Sequence, residues 1–279
     1  MGANLKQVVH DNQRIFDSGH YVSPSGAEVE LASAIEFACA GTRLFLPSEA
    51  QALLQRALEE GARPQIEVTN ESTAIAARRL IERKKLDDVV ALNFASARNP
   101  GGGYLNGARA QEEQLCRTSA LYPCLLRAPT YYEVNRAQRE LLYTDHAIYS
   151  PRVPFFRDEA LELLEKPFAL SVITSPAPNA GALHREQPEL EDRLESALRQ
   201  RAGQVLAIAQ AHGHRTLVLG AWGCGAFGND PVMVAEAFAS WLDSPRFQGA
   251  FTRVVFAVLN ARASDERNLT AFQERFARG

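Results

Sequence analysis

From about residue 44 onward, short apolar runs rich in β-branched residues alternate with longer segments whose apolar positions recur at helical spacing. The pattern predicts strands at Gln65–Val68, Asp88–Leu92, Ala147–Ser150, Ala169–Thr174, Thr216–Leu219 and Arg253–Leu259. Several of these are almost wholly apolar, as expected of central strands covered on both faces. Between them, Ser72–Lys84, Glu189–His212, Pro231–Leu242 and Asp265–Arg278 read as amphipathic helices. Asp230 followed by Pro231 is a cap-then-proline start, and Ser264-Asp265-Glu266 opens the last helix. Strands alternating with helices predict a three-layer α/β/α domain around a parallel or mixed sheet. Residues 1–43 read as an N-terminal helical extension packed against a domain spanning 44–279. The stretch Tyr131–Asp158, with Pro151, Pro154 and two aromatic pairs, is less regular and reads as a surface insertion bordering a cleft. No internal repeat, low-complexity tract or charged tail interrupts the pattern.

Composition narrows the function classes. With 30 basic and 33 acidic residues the net charge is −3, which provides no global field to hold a polyanion. Sequence-specific nucleic-acid binding by phosphate neutralisation is therefore not expected, although a local cationic or amide-lined cleft remains open. Cys39, Cys116, Cys124 and Cys224 form no CxxC pair, so neither a zinc site nor a disulfide framework is expected. His146, His184, His212 and His214 lack partners at metal-ligand spacing, and no metal or cofactor is anticipated. Ser171 and Ser175 lack the strand–turn–helix elbow of a nucleophilic serine. No secretory leader and no apolar run of membrane-spanning length is readable, so a cytoplasmic location is expected.

Two glycine-rich loops follow two of the buried strands. The first is Asn99-Pro100-Gly101-Gly102-Gly103-Tyr104; the second runs from Gly220 to Asp230 and contains Gly223-Cys224-Gly225-Ala226-Phe227-Gly228. In open α/β sheets ligands collect where strands end and loops diverge. Glycine lets backbone N–H groups converge on an anion, and a helix start behind the second loop would add a positive dipole end. Neither loop is a Walker sequence or a dinucleotide fingerprint, and each by itself is equally well a tight turn. Seven residues separate Gly103 from Gln111-Glu112-Glu113, which reads as a helix start. Acidic residues there are commonly dipole partners on a solvated face. Adjacent helical residues point about 100° apart. The two carboxylates therefore cannot straddle a glycosidic bond in the usual two-carboxylate arrangement.

The spacing from Gly101-Gly102-Gly103 to Gln111-Glu112-Glu113 resembles the signature of the poly(ADP-ribose) glycohydrolases. The flanking runs Asn93–Pro100 and Leu115–Cys124 look like the compact bacterial branch of that family, as do Ile148–Pro151 and Val153–Arg157. Gly223–Gly228 resembles the family's diphosphate loop. The resemblance covers most of the chain and is densest from residue 90 to 230. It implies a macrodomain fold with ADP-ribose above the sheet, and a place in ADP-ribosylation turnover and the DNA damage response. Poly(ADP-ribose), ADP-ribose and ADP-ribosylated proteins would be the partners.

Carried over residue by residue, Glu113 matches the catalytic glutamate. Glu112 matches its ribose-binding neighbour, and Gln111 opens the segment. Gly101, Gly102 and Gly103 would line the terminal ribose and phosphates. Gly223, Cys224, Gly225 and Ala226 belong to the diphosphate loop, and Phe227 would pack on the terminal ribose. In the animal enzymes the ribose-contacting asparagine stands farther ahead of the glycines than Asn99, the candidate here. Their adenine-stacking tyrosine is not matched to a position in this sequence, and Phe272 is the candidate aromatic on the adenine side. The reaction implied is hydrolysis of the ribose–ribose O-glycosidic bond, with Glu113 as acid and then base and no cofactor. A non-catalytic ADP-ribose reader and a hydrolase of single ADP-ribose groups are the alternatives.

Overall fold

The computed structural model describes residues 4–56, 61–261 and 265–277. The chain begins with α1 (Leu5–Ser18), a hairpin of β1 (His20–Val22) and β2 (Glu28–Glu30), α2 (Ala32–Ala40), β3 (Arg43–Phe45) and α3 (Pro47–Leu54). It continues through β4 (Gln65–Thr69), α4 (Thr73–Arg78), β5 (Val89–Phe94), α5 (Gln111–Thr118), α6 (Leu121–Leu125) and α7 (Pro129–Ala137). The remainder is β6 (Ala147–Arg157), β7 (Leu163–Ser175), α8 (Ala180–Glu186), α9 (Leu194–Ala211), β8 (Thr216–Leu219), α10 (Pro231–Leu242), β9 (Arg253–Ala257) and α11 (Glu266–Phe276).

Seven strands form one mixed sheet in the order β3-β6-β7-β5-β8-β9-β4. Only β6 runs against the rest, being antiparallel to both β3 and β7, while β7, β5, β8, β9 and β4 are mutually parallel. Alternation along β5 divides the core. Val90 and Leu92 face one side with α3, α9, α10 and α11, whereas Val89 and Ala91 face the other with α1, α2, α4, α5, α6 and α7. The expected three-layer architecture with a mixed sheet is what forms.

Two segments differ from expectation. Tyr131–Asp158 is not a surface insertion: α7 buries Tyr131 and Tyr132, and β6 occupies an interior place in the sheet. β6 accommodates Pro151 through a register shift between Ser150 and Val153, with Arg152 at φ 47°, while Pro154 stays in register opposite Ala169. Bulges tolerate proline where a regular ladder does not, and this irregularity masks the strand in the sequence pattern. The predicted helix Ser72–Lys84 holds α-geometry only to Arg78 and then widens into a π-turn over Arg79–Arg83. Ser264 and Arg278, assigned from sequence to the last helix, lie outside the described residues. The N-terminal region contains a hairpin as well as helices, and buried Asn12 ties it down. Its Nδ2 donates to the Arg117 carbonyl at 2.8 Å, and its Oδ1 accepts from Arg157 Nε at 2.8 Å. Among the described residues, no helix is long and apolar enough to cross a membrane.

Candidate active site

β5 and β8 lie side by side and parallel, so the two glycine-rich loops leave the same edge of the sheet. After β5, Ser96 Oγ accepts the N–H groups of Arg98 (3.3 Å) and Asn99 (3.1 Å), folding the chain into a turn closed by Gly102 N–H to the Asn99 carbonyl at 3.0 Å. Gly101 and Gly102 adopt φ values of 67° and 60°, where a side chain is strained. Space demands glycine as well. A Cβ on Gly102 would stand 2.5 Å from Glu113 Oε1 and 3.0 Å from Glu112 Oε2. The loop backbone therefore lies directly on both carboxylates.

Gln111 locks α5 to the sheet. Its Oε1 accepts Phe94 N–H at 2.8 Å, while its Nε2 donates to the Leu92 carbonyl at 2.8 Å and Thr73 Oγ1 at 3.0 Å. Both amide donors are consumed inside the protein, so the expected ligand contact by Gln111 gives way to an anchoring role. Arg117, near the end of α5, donates to the Ala108 carbonyl at 2.7 Å and holds the segment between glycines and helix.

Glu112 and Glu113 are 2 % and 8 % exposed, so they are not the solvated dipole partners that adjacent acids at a helix start commonly are. Glu112 has a donor at each oxygen: Asn93 Nδ2 at 3.1 Å on Oε1 and Ser96 N–H at 2.7 Å on Oε2. Burial nevertheless pushes its pKa up to about 8. The Ser96 and Asn93 hydrogen bonds oppose the rise, and the neighbouring Glu113 adds to it. Glu113 is held differently. Gly103 N–H donates to Oε1 at 2.8 Å, while Oε2 is buried without a hydrogen-bond partner. A buried polar atom left unpaired is costly and marks a place built to receive something.

The asparagine assignment changes. Asn99 is exposed and, among the described residues, engages the turn through its backbone. Asn93, at the end of β5, is the buried asparagine beside Glu112, and its Oδ1 is also unpaired. A polar residue inside an otherwise apolar run, Val89–Phe94, is the signal that could have found it. Cys116 packs beneath the turn, with its Sγ 3.2 Å from where a Gly101 Cβ would stand, and burial raises its thiol pKa.

The second loop is braced from within. Trp222 Nε1 donates to the Ser175 carbonyl at 3.1 Å, and buried Asn229 Nδ2 donates to the carbonyls of Pro178 (2.9 Å) and Gly223 (3.1 Å). Gly223 sits at φ 74° with Asn229 so close that a Cβ would meet Nδ2 at 2.3 Å. The tip is open. Among the described residues, the N–H groups of Gly225, Ala226 and Phe227 have no protein acceptor, and a Cβ on Gly225 would meet nothing within 4 Å. Phe227 rests against Tyr143, ring centroids 6.1 Å apart, and its carbonyl accepts Gly181 N–H at 2.8 Å. Buried Arg201 of α9 fixes the Tyr143 segment from behind, bonding the carbonyls of Leu142, Tyr143 and Pro176 and pairing with Asp145. Sequence reasoning missed Arg201 because an arginine among apolar helix positions looks like a surface residue.

Three further expectations are corrected. The α10 start does not offer a free dipole end, because Asp230 already caps it through Val232 N–H (2.8 Å) and pairs with Arg267 (2.7 Å). Cys224 turns its sulfur toward the Trp222 carbonyl, burial raises its pKa, and its backbone N–H bonds the Ala221 carbonyl at 3.2 Å, so it offers no free donor at the loop. Phe272 is 0 % exposed and wedged between Phe256 and Phe276, leaving no ring face for a base. Among the described residues, no group of three or more His, Cys, Asp or Glu could hold a metal ion.

The chain is similar to several known proteins. A family profile described as the microbial-type PARG catalytic domain matches residues 10–158. Poly(ADP-ribose) glycohydrolase from Thermomonospora curvata is 47 % identical, with a TM-score of 0.91 over 98 % of this chain and 99 % of that one. The same protein bound to the inhibitor ADP-HPD is similar at 46 % identity and a TM-score of 0.89, over the same shares of both chains. The enzyme from Deinococcus radiodurans in complex with ADP-ribose is 46 % identical, with a TM-score of 0.82 over 90 % of this chain and 99 % of that one. A search of curated protein sequences finds no match. With the profile covering more than half of the chain and near-half identity sustained over almost its full length, the chain belongs to the microbial-type poly(ADP-ribose) glycohydrolases and is a glycosidase.

Proposed function

We propose that the protein hydrolyses the ribose–ribose O-glycosidic bond of poly(ADP-ribose) and releases ADP-ribose, with Glu113 serving first as acid and then as base. The observation that carries this reading is the unpaired, buried Oε2 of Glu113 beside a loop that fixes the opposite oxygen. Of the four carboxylate oxygens, only this one faces no N–H donor, so it is the one able to present a proton to a ligand. Glu113 protonates the departing ribose oxygen as the bond to the anomeric carbon breaks. The carbon gains oxocarbenium character, which the nearby diphosphate stabilises while the N–H groups of Gly225, Ala226 and Phe227 hold it. Ionised Glu113 then takes a proton from the attacking water, and the enzyme returns to its starting state. Glu112, braced by Asn93 and Ser96, orients the ribose. A non-catalytic reader has no use for an orphaned carboxyl oxygen at this position.

Glu113→Gln preserves shape and removes the proton. Polymer hydrolysis should fall by about 10²–10⁴-fold, while calorimetric ADP-ribose affinity stays within a few-fold of the parent. Near-parental hydrolysis by this variant would refute the role of Glu113.

A further inference from the structure

We infer that Arg98 and Arg136 form a second anion subsite at the lip of the catalytic cleft, one that takes the diphosphate of the leaving ADP-ribose unit of the polymer. The inference rests on the polymer-cleaving reading above and concerns the part of the substrate that is not released as ADP-ribose.

Arg98 belongs to the turn that covers the carboxylates. It lies between Ser96, whose N–H binds Glu112, and Gly102, which abuts Glu113. The Arg98 side chain is exposed, and its guanidinium carbon stands 6.0 Å from the centroid of the Tyr143 ring. Tyr143 in turn touches Phe227 of the second loop, so the Arg98 cation sits on a wall joining the two glycine loops. That wall is rigid: Tyr143 is almost buried at φ 60°, and Arg201 Nη2 donates to its carbonyl at 3.0 Å. Arg136, exposed on α7, donates Nη1 to the Arg98 carbonyl at 2.7 Å, which brings a second guanidinium to the same turn.

Neither cation is neutralised. Among the described residues, neither Arg98 nor Arg136 has a carboxylate within 4.0 Å, and Glu133, one turn earlier on α7, does not pair with Arg136. Nearby, Arg193 pairs with Glu140 and Arg201 with Asp145, whereas exposed Arg109 and Arg139 have no ion pair among the described residues. A chain with 33 acids and 30 bases thus leaves two like charges together on the turn whose backbone covers its reacting carboxylates.

Substrate chemistry says what such a pair would receive. The polymer places one diphosphate on each side of the bond to be cut. The diphosphate of the released unit is accounted for by the open N–H groups at Gly225–Phe227. The other is attached through C5 to the same ribose whose oxygen departs, so it must lie a short covalent path from Glu113. Guanidinium groups bind phosphate oxygens in pairs and keep their charge at all working pH values. Arg98 and Arg136 are exposed cations held together on the turn that covers Glu112 and Glu113.

The test is binding in the Glu113→Gln background, titrating ADP-ribose and a two-unit ADP-ribose oligomer into the parent and into Arg98→Ala/Arg136→Ala. The double variant should lose about tenfold in oligomer affinity, the scale of two exposed ion pairs, with ADP-ribose affinity unchanged within twofold. Added salt should weaken the oligomer more in the parent than in the variant, and Arg98→Lys/Arg136→Lys should keep most of the affinity. With Glu113 intact, the ratio of kcat/KM for polymer to that for an ADP-ribosyl phenol, whose leaving group carries no phosphate, should fall by the same factor. Equal losses for both ligands, or none for the oligomer, would overturn the subsite. Because the binding measurements need no turnover, an intact protein that failed to cleave polymer would count against the hydrolase reading alone.

Discussion

Replacing Glu112 with glutamine should make the protein more stable, and only above the acidic range. Burial lifts Glu112 from an ordinary value near 4.5 to about 8. Between those values the folded protein keeps a proton that the unfolded chain has released. Linkage then requires stability to fall as pH rises through that window, with the full penalty reached above pH 8. At about 1.4 kcal/mol per tenfold change in proton affinity, the span bounds the effect at about 5 kcal/mol. Glutamine removes the titration and keeps the shape. Its carbonyl can accept Ser96 N–H, and its amide can donate to Asn93 Oδ1, which has no partner in the parent, if the Asn93 amide turns over. After allowing for that rearrangement, the variant should match the parent within about 1 kcal/mol at pH 5 and exceed it by roughly 1–3 kcal/mol at pH 9. Urea unfolding at constant ionic strength from pH 5 to 9 measures this, and polymer turnover on the same samples should be reduced but measurable through poorer ribose positioning. Parallel stability curves for the two proteins would refute the argument that burying this carboxyl group costs folding energy.

Two further substitutions probe the loops. Gly102→Ala puts a Cβ at φ 60° and against Glu113 Oε1, so it should cost about 1–3 kcal/mol in unfolding free energy; it should also cut polymer turnover by at least about 100-fold. Turnover close to the parent's would mean that the loop is free to retreat from the carboxylates. Gly225→Glu projects into open space, so its melting temperature should stay within about 2 °C of the parent's, while calorimetric ADP-ribose binding disappears because a carboxylate occupies the anion position. Retained affinity would remove this loop from the ligand site.

The parts of the protein legible in its sequence are those governed by near neighbours along the chain. Val89–Leu92, Thr216–Leu219 and Arg253–Ala257 are strands because their runs are apolar enough to be covered on both faces. The two loops stand out because glycine at φ above zero, or pressed against a neighbour, has no substitute, and Gln111-Glu112-Glu113 announces itself at a helix start. What those residues do was decided by segments far away in sequence. Only the sheet order, which sets β5 beside β8, brings the loops to one edge. Asn93 rather than Asn99 meets Glu112 because Asn93 is buried within β5, and Gln111 points inward because β5 runs past its pairing with β8 and the buried edge needs its hydrogen bonds satisfied. Asp230 spends the helix dipole that the loop was expected to use, and Phe272 belongs to the interior because Phe256 and Phe276 converge on it. Local spacing encodes backbone conformation, whereas burial, protonation and partnership depend on which distant groups the fold brings within a few ångströms, and in this protein that difference separates an anchoring glutamine, a braced glutamate and a glutamate with one oxygen unpaired on three successive residues.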